Sequence, residues 1–405
     1  MELVKNIIII NDSAFIKGGA EKVALNSAIE LSKRGINVIL FSAIGPIDTN
    51  LTDAGIEVIC LQQYDILNDP SRLRAIKQGL WNKKALNKLR EILKQYSPSD
   101  TIIHFHSWTK ALSPSVFSAT AKYKFKIVIT THDYFLACPN GGFFNYKSKQ
   151  ICNISSLSYK CLTCNCDSRN YPQKIWRSIR QYIQNKTLSK NQINIIFISS
   201  LIKKILSPYL NPITNKTYHL NNPIELSPNA ITNIEKNDLY LFVGRLSPEK
   251  GCELFCQAIT DLGLKGCVVG DGYMRTYLQQ KYPSIKFTGW LTGKAKDNII
   301  QKGKALVFPS LWYEGAPLTI MEMKSYGIPC IVPDRSAAKE EIIDGKTGLI
   351  FQSGNIDSLK KCIQLYEKTN ITELHNNIIQ SFSTKDYSIE AHVSNLLSIY
   401  NDILK

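Results

Sequence analysis

Short runs of β-branched residues alternate along the chain with longer stretches of helical period. KNIIII (5–10), NVILFS (37–42), EVICLQ (57–62), TIIHFH (101–106), KIVITTH (126–132) and INIIFISS (193–200) are apolar with little alternation. Such runs predict parallel strands covered on both faces. Between the first two, GGAEKVALNSAIELSKRG (18–35) has the pattern of an amphipathic helix that stops at Gly35. This is βαβ order and predicts a parallel sheet. The polar, Pro- and Asn-rich stretch LNNPIELSPNAITNIEKND (220–238) then predicts a linker. The same order restarts with LYLFVGRL, KGCVVG, IKFTGW, KALVFPS, IPCIVPD and TGLIFQ. Two α/β, Rossmann-like domains are expected, with a final helix in YSIEAHVSNLLSIYNDILK (387–405).

A length of 405 residues, 44% hydrophobic and 20% charged, suits two globular domains with real cores. No apolar run approaches the roughly 18 residues of a membrane span. The four isoleucines of MELVKNIIII fall short of the about 7–15 residues of a signal h-region, so a cytoplasmic protein is expected. The net charge of +16 lies almost wholly before residue 225. That asymmetry points to an anionic partner: nucleic acid, an acidic lipid surface or a phosphorylated substrate. No helix-turn-helix, RRM or finger pattern favours nucleic acid, and none is expected. Two basic stretches, 72–96 and 174–190, read either as sheet-packing helices with solvated basic faces or as contacts to anionic lipid. The two readings are compatible.

The second half carries most of the candidate chemistry. In FVGRLSPEKG a strand ends at Gly244, and Arg245 and Lys250 follow on one loop. Open α/β sheets bind ligands at the carboxyl ends of their strands, where two cations can clamp a diphosphate. By itself such a pair is also an ordinary solvated loop. VVGDGY places Gly270 and Gly272 at the next strand end, where small residues admit a ligand, or simply form a turn. In VFPSLWYEGAPLTIMEMKSYGIP, Glu314 sits on a loop and Pro317 suits the first helical position. Gly315 and Ala316 would then offer backbone N–H groups at a helix N-terminus, with Glu322 about one turn further in.

FVGRLSPEKG, VVGDG, PSLWYEGAPLTIMEM, YGIPCIV and DGKTG, in this order, resemble the retaining family 4 (group 1) glycosyltransferases of the GT-B fold, of the bacterial polysaccharide-biosynthesis type. GGAEKVALNSAIELSKRG resembles their opening glycine loop and helix, so the resemblance covers nearly the whole chain. It implies two Rossmann-like domains facing across a cleft. Residues 1–220 would form the acceptor side, joined by the C-terminal helix 387–405, and residues 238–386 the donor domain. Arg245 and Lys250 would neutralise the donor diphosphate, and Glu322 would bind the ribose hydroxyls. Glu314 would contact the donor sugar with the backbone of Gly315 and Ala316. Gly18 and Gly19 would approach the phosphates. His132 would lie near the reacting sugar, although a strand-end His-Asp also reads as a cap. His106, beside His104 on a neighbouring strand end, is a further candidate for the same cleft.

The resemblance further implies a nucleotide-diphosphate sugar donor and front-face transfer with retention. Acceptors would be a polysaccharide or a lipid-linked oligosaccharide at the inner membrane face. A small soluble acceptor and a catalytically silent nucleotide-sugar-binding subunit are the alternatives. No D-x-D occurs in the chain, which agrees with a scheme in which cations replace a catalytic metal.

Of the 11 cysteines, Cys138, Cys152, Cys161, Cys164 and Cys166 are grouped. Four thiolates suffice for a structural zinc, and Cys161-x-x-Cys164 has ligand spacing, but the second C-x-x-C of a strong zinc signature is missing. Free or redox-labile thiols are the other reading.

Overall fold

The computed structural model describes residues 4–224, 234–383 and 385–405. Among these, the chain divides into two compact units, Met1–Gly142 with Ile154–Pro223 and Tyr387–Lys405, and Phe143–Asn153 with Ile224–Asp386. Residues 225–233 of the expected linker lie outside the described residues.

The first unit is built on a sheet of β1 (Asn6–Ile10), β2 (Asn37–Ser42), β3 (Glu57–Cys60), β4 (Thr101–Phe105) and β5 (Lys126–Thr131); β6 (Phe144–Asn145) and β7 (Gln150–Ile151) pair as a small antiparallel hairpin in the segment that clusters with the second unit. β8 (Ile193–Phe197) and β9 (Thr214–His219) complete the sheet, whose order is β3-β2-β1-β4-β5-β8-β9, every pairing parallel. The four isoleucines of β1 are fully buried because the strand is central: Ile8 pairs with Ile39 on one side and Ile103 on the other. The Gly19–Lys33 helix turns Ala24, Ala28 and Leu31 inward, into one core with Val393, Leu396 and Tyr400 of the Ile389–Leu404 helix. The chain's last helix therefore finishes the first unit's core.

The second unit holds β10 (Leu239–Val243), β11 (Lys265–Val269), β12 (Lys286–Gly289), β13 (Gly303–Val307), β14 (Cys330–Pro333) and β15 (Gly348–Phe351), in the order β12-β11-β10-β13-β14-β15, all parallel. One core gathers Phe255, Ile259 and Tyr366, and another gathers Ile320, Met323 and Tyr326. Each sheet reverses its strand order beside a central strand, β1 or β10. Such switch points open a crevice at the carboxyl ends of the strands. The candidate residues occupy both.

The basic stretch 72–96 is two helices rather than one, Arg72–Leu80 and Lys83–Leu93. The break follows from Asn82, whose Oδ1 caps the second helix at the Ala85 N–H while its Nδ2 donates to the Ala111 carbonyl. Among the described residues, no helix is long and apolar enough to cross a membrane.

Candidate functional site

In the second unit the site begins where β10, β11 and β12 end. Gly244 and Gly270 have φ of 156° and 150°. A Cβ on Gly270 would stand 1.9 Å from the Gly244 carbonyl oxygen, and the Gly270 N–H donates to the Gly289 carbonyl at 2.9 Å. A Cβ on Gly272 would stand 2.4 Å from the Leu246 oxygen. These glycines allow backbone to meet backbone, a structural need that the sequence did not separate from ligand approach.

The loop after β10 is stitched to the loop after β13. The Leu311 N–H donates to the Glu249 carbonyl at 2.8 Å, and a Cβ on Gly251 would meet the Pro309 oxygen at 2.0 Å. This close approach carries Lys250 to Glu314: its Nζ lies 2.8 and 2.7 Å from the two carboxylate oxygens. Trp312 Nε1 and Ser310 Oγ also donate to Glu314, at 2.7 and 3.2 Å. Burial opposes the charge of Glu314, but Lys250 and these hydrogen bonds outweigh it, so the carboxyl titrates below its ordinary value. Arg245 Nη2 donates to Glu249 at 2.8 Å, while 61% of the arginine side chain stays exposed. Its guanidinium is oriented yet open on one side.

Gly315 and Ala316 lie half-buried in the loop ahead of the Leu318–Ser325 helix. Pro317 is the N-cap, one position earlier than expected. Glu322, in the middle of that helix, receives Lys296 Nζ at 2.5 and 2.7 Å. Lys296 belongs to the Gly293–Ile300 helix, and Tyr326 Oη donating to Asp297 at 2.6 Å ties the two helices together. Glu314 and Glu322, eight residues apart, thus each carry a lysine partner within this unit.

In the first unit, Gly18 is the N-cap of the Gly19–Lys33 helix, in an extended conformation that any residue adopts. Buried Asp12, just past β1, accepts the N–H groups of Lys110, Ala111 and Leu112 at 2.7, 2.9 and 2.9 Å. Lys110 Nζ in turn reaches Glu21 at 3.2 Å. His132 Nε2 and His106 Nδ1 are 2.9 Å apart with stacked rings. Burial, with His392 nearby, lowers the His132 pKa to about 3, so this bond joins neutral imidazoles. His106 Nε2 is buried without a hydrogen-bond partner among the described residues. His104 is structural: its two ring nitrogens bond Tyr400 Oη at 2.6 Å and Thr130 Oγ1 at 2.8 Å.

The zinc expectation is corrected. Among the described residues, no group of three or more His, Cys, Asp or Glu side chains could hold a metal ion. Cys138, Cys152, Cys161, Cys164 and Cys166 are free of disulfides. Cys152 falls in the segment that clusters with the second unit, whereas the others lie in the first. Lys174, only 1% exposed, donates to Cys161 Sγ at 3.2 Å, and Asn140 Nδ2 donates to Cys166 Sγ at 3.2 Å. Burial opposes the charge of Lys174, but Cys166, Cys161 and Cys138 as thiolates and the Cys161 hydrogen bond outweigh it and raise its pKa, so an ammonium stands among these cysteines.

Glu249, Ser310, Trp312, Lys296 and Asp12 were not singled out from the sequence. Glu249, Ser310 and Trp312 stand inside the quoted motifs and passed as spacers. Lys296 has only the weak signal of a basic helix.

Residues 17–212 match the family described as Glycosyltransferase Family 4, and residues 224–382 match Glycosyl transferases group 1. The chain belongs to the family 4, group 1 glycosyltransferases. A curated relative of this family 4 chain, the UDP-Gal:alpha-D-GlcNAc-diphosphoundecaprenol alpha-1,3-galactosyltransferase of Escherichia coli, is 25% identical over 187 residues, which is 43% of the chain and 48% of the relative. The chain spans about half the length of the first curated relatives it matches. A glycosyltransferase from Rickettsia africae ESF-5 superposes with a TM-score of 0.67 at 17% identity, covering 99% of both chains. Anabaena Alr3699/HepE in complex with UDP gives 0.66 at 16% identity, covering 98% of this chain and 100% of its own. The fold is GT-B.

Proposed function

We propose that the protein is a retaining glycosyltransferase that moves a sugar from a nucleotide diphosphate to a polysaccharide or lipid-linked oligosaccharide at an anionic membrane surface on the cytoplasmic side. Residues 238–386 are the donor domain, and residues 1–220 with helix 387–405 the acceptor domain. The observation that carries this reading is the pairing of Lys250 with Glu314 at 2.8 and 2.7 Å across the loops that follow β10 and β13, with Arg245 on the first of those loops and Glu322 on the helix that follows the second. The UDP held by the HepE neighbour and the diphosphoundecaprenol named for the Escherichia coli relative support the donor and acceptor classes.

In the reaction, the bond from the anomeric carbon to the diphosphate oxygen breaks as the acceptor oxygen bonds that carbon from the same face. The acceptor proton passes to the departing phosphate. Arg245 and Lys250 stabilise the negative charge that grows there, which removes the need for a metal. Glu314 accepts hydroxyls of the sugar and Glu322 those of the ribose, while Gly18 and Gly19 approach the phosphates. His132, oriented by His106, meets the sugar as a neutral imidazole.

Thermal-shift titration with UDP- and GDP-sugars tests the reading, followed by the anomeric configuration of the product by NMR. A shift with one nucleotide sugar and a retained configuration are expected. No response to any nucleotide diphosphate overturns the donor assignment, and an inverted product overturns retention.

A further inference from the structure

The Arg72–Leu80 helix is amphipathic in the inverted sense for a packing element. Its inward positions are small: Ala75 and Gly79 are buried, and a Cβ on Gly79 would stand 2.6 Å from the Trp176 ring of the Tyr171–Leu188 helix. Two of its three large apolar side chains point out, Leu73 73% and Ile76 48% exposed, and Leu80 is half-buried. The nine residues RLRAIKQGL include three cations and no acid. Tyr64 and Leu67, just ahead of the helix, are exposed as well.

A cavity lies on each flank. One, of about 410 Å³, has Ile66, Ala75, Ile76 and Trp176 among its walls together with Arg72 and Arg169. The other, of about 530 Å³, is lined by Leu73, Arg74, Lys77, Lys83 and Lys84 among others. Arg74 is neutralised by Asp69 at 2.7 Å, but Lys77 and Lys83 have no acidic partner among the described residues. An apolar crest between two cationic hollows matches the boundary of an anionic lipid layer, where acyl chains and phosphates lie within one helix diameter of each other.

We propose that this helix is the membrane contact. Leu73 and Ile76 enter the acyl boundary of an anionic phospholipid surface, while lipid phosphates engage Arg72 on one flank and Lys77 with Lys83 on the other. The proposal deepens the membrane part of the functional reading above and rests on it. The neighbouring Lys83–Leu93 helix is a poorer candidate beyond its first residue. Lys84 Nζ donates to the Leu61 carbonyl, Lys88 pairs with Glu91, and Leu86, Leu89, Ile92 and Leu93 are all buried. Its outer face is charged but has no apolar residue to insert.

The test is co-sedimentation of the full chain with phosphatidylcholine vesicles, with and without phosphatidylglycerol. Wild type should bind only the mixed vesicles, and added salt should weaken binding. Leu73→Ser/Ile76→Ser and Arg72→Gln/Lys77→Gln should each lower the bound fraction several-fold, whereas Lys88→Gln should leave it near wild type. Each variant should keep its melting temperature and its response to nucleotide sugars. Wild-type-like sedimentation of Leu73→Ser/Ile76→Ser overturns the proposal. So does a wild type that ignores vesicles but forms a dimer which this variant abolishes, since the surface then belongs to a second copy. Absent vesicle binding with an intact nucleotide response removes the membrane contact alone. Vesicle binding without any nucleotide response removes the donor reading alone.

Discussion

Lys250 Nζ spans both carboxylate oxygens of Glu314, at 2.8 and 2.7 Å, and also lies 5.3 Å from the centre of the Trp312 ring. The two side chains keep only 20% and 15% of their exposure, so each depends on the other's charge. Removing one partner of a buried pair costs about 3–5 kcal/mol, and residual exposure places this pair toward the lower end. Lys250→Met should therefore destabilise the second unit more than Lys250→Met/Glu314→Gln does. Urea denaturation of the single and double variants measures the coupling. Additive losses would mean that the pair contributes nothing as a pair.

Glu322 offers its carboxylate to Lys296 in the same bidentate way. If the same oxygens accept ribose hydroxyls, Glu322→Ala should weaken nucleotide diphosphate binding by about 1.5–3 kcal/mol, the range for hydrogen bonds to a charged group. Lys296→Ala should leave a carboxylate that still accepts both hydroxyls, so its loss should be smaller. Calorimetric titration of both variants with UDP and GDP ranks them. Equal losses would make Lys296 a direct contact rather than a holder of Glu322.

The strand pattern was legible because both sheets are parallel and covered. All twelve apolar runs became strands, from KNIIII at β1 to TGLIFQ at β15. β9 escaped because TNKTYH has no buried residue along its length, and an edge strand needs no apolar run. The hairpin of β6 and β7 escaped because two-residue strands have no period. Motifs located Arg245, Lys250, Glu314 and Glu322, but not what they bond to. Glu249 looked like a spacer in SPEKG, yet it is 3% exposed and orients Arg245. Lys296 reaches Glu322 from a different helix, a contact that only the fold creates. The cysteine spacing suggested a metal because sequence cannot show that Lys174 sits among the thiols.

Gly270 makes a sharper backbone test. At φ 150°, with the Gly244 oxygen 1.9 Å from where a Cβ would stand, Gly270→Ala forces β10 and β11 apart. Gly345 has φ 75° but open space around it, so Gly345→Ala should cost only the left-handed strain, about 1 kcal/mol. Melting temperatures should separate the two by several degrees. Similar values would show that the strand ends yield easily.

Arg245 keeps an open side, and the proposed reaction gives it the stabilisation of charge in the transition state. Arg245→Ala/Glu249→Gln should lower turnover by about 10²–10³ while avoiding the unpaired buried carboxylate, 4% exposed, that Arg245→Ala alone would leave, so its melting temperature should stay nearer wild type than that of Arg245→Ala. Wild-type activity should also persist in EDTA if Arg245 and Lys250 take the place of a metal, as proposed. Strict dependence on added magnesium or manganese would sink that scheme.

The histidines of the first unit set its behaviour in acid. Burial lowers the pKa of His104 and His132 from 6.5 to about 3 and that of His392 to about 4. Below pH 6.5 the unfolded chain takes up protons at these rings while the folded chain does not. Their contribution is therefore complete above that pH and is lost as pH falls through 6.5 toward the folded values. Stability should decline steeply between about pH 6.5 and pH 4, before most paired carboxylates titrate. His392→Gln removes one of these groups and leaves an amide that can still donate to the Asn221 carbonyl, the bond His392 Nδ1 makes at 2.8 Å. Denaturation at a series of pH values should give this variant a shallower acid slope than wild type, whatever its stability at pH 7. Parallel slopes would show that His392 is protonated in the folded protein as readily as in the unfolded one, and that burial does not hold the ring neutral.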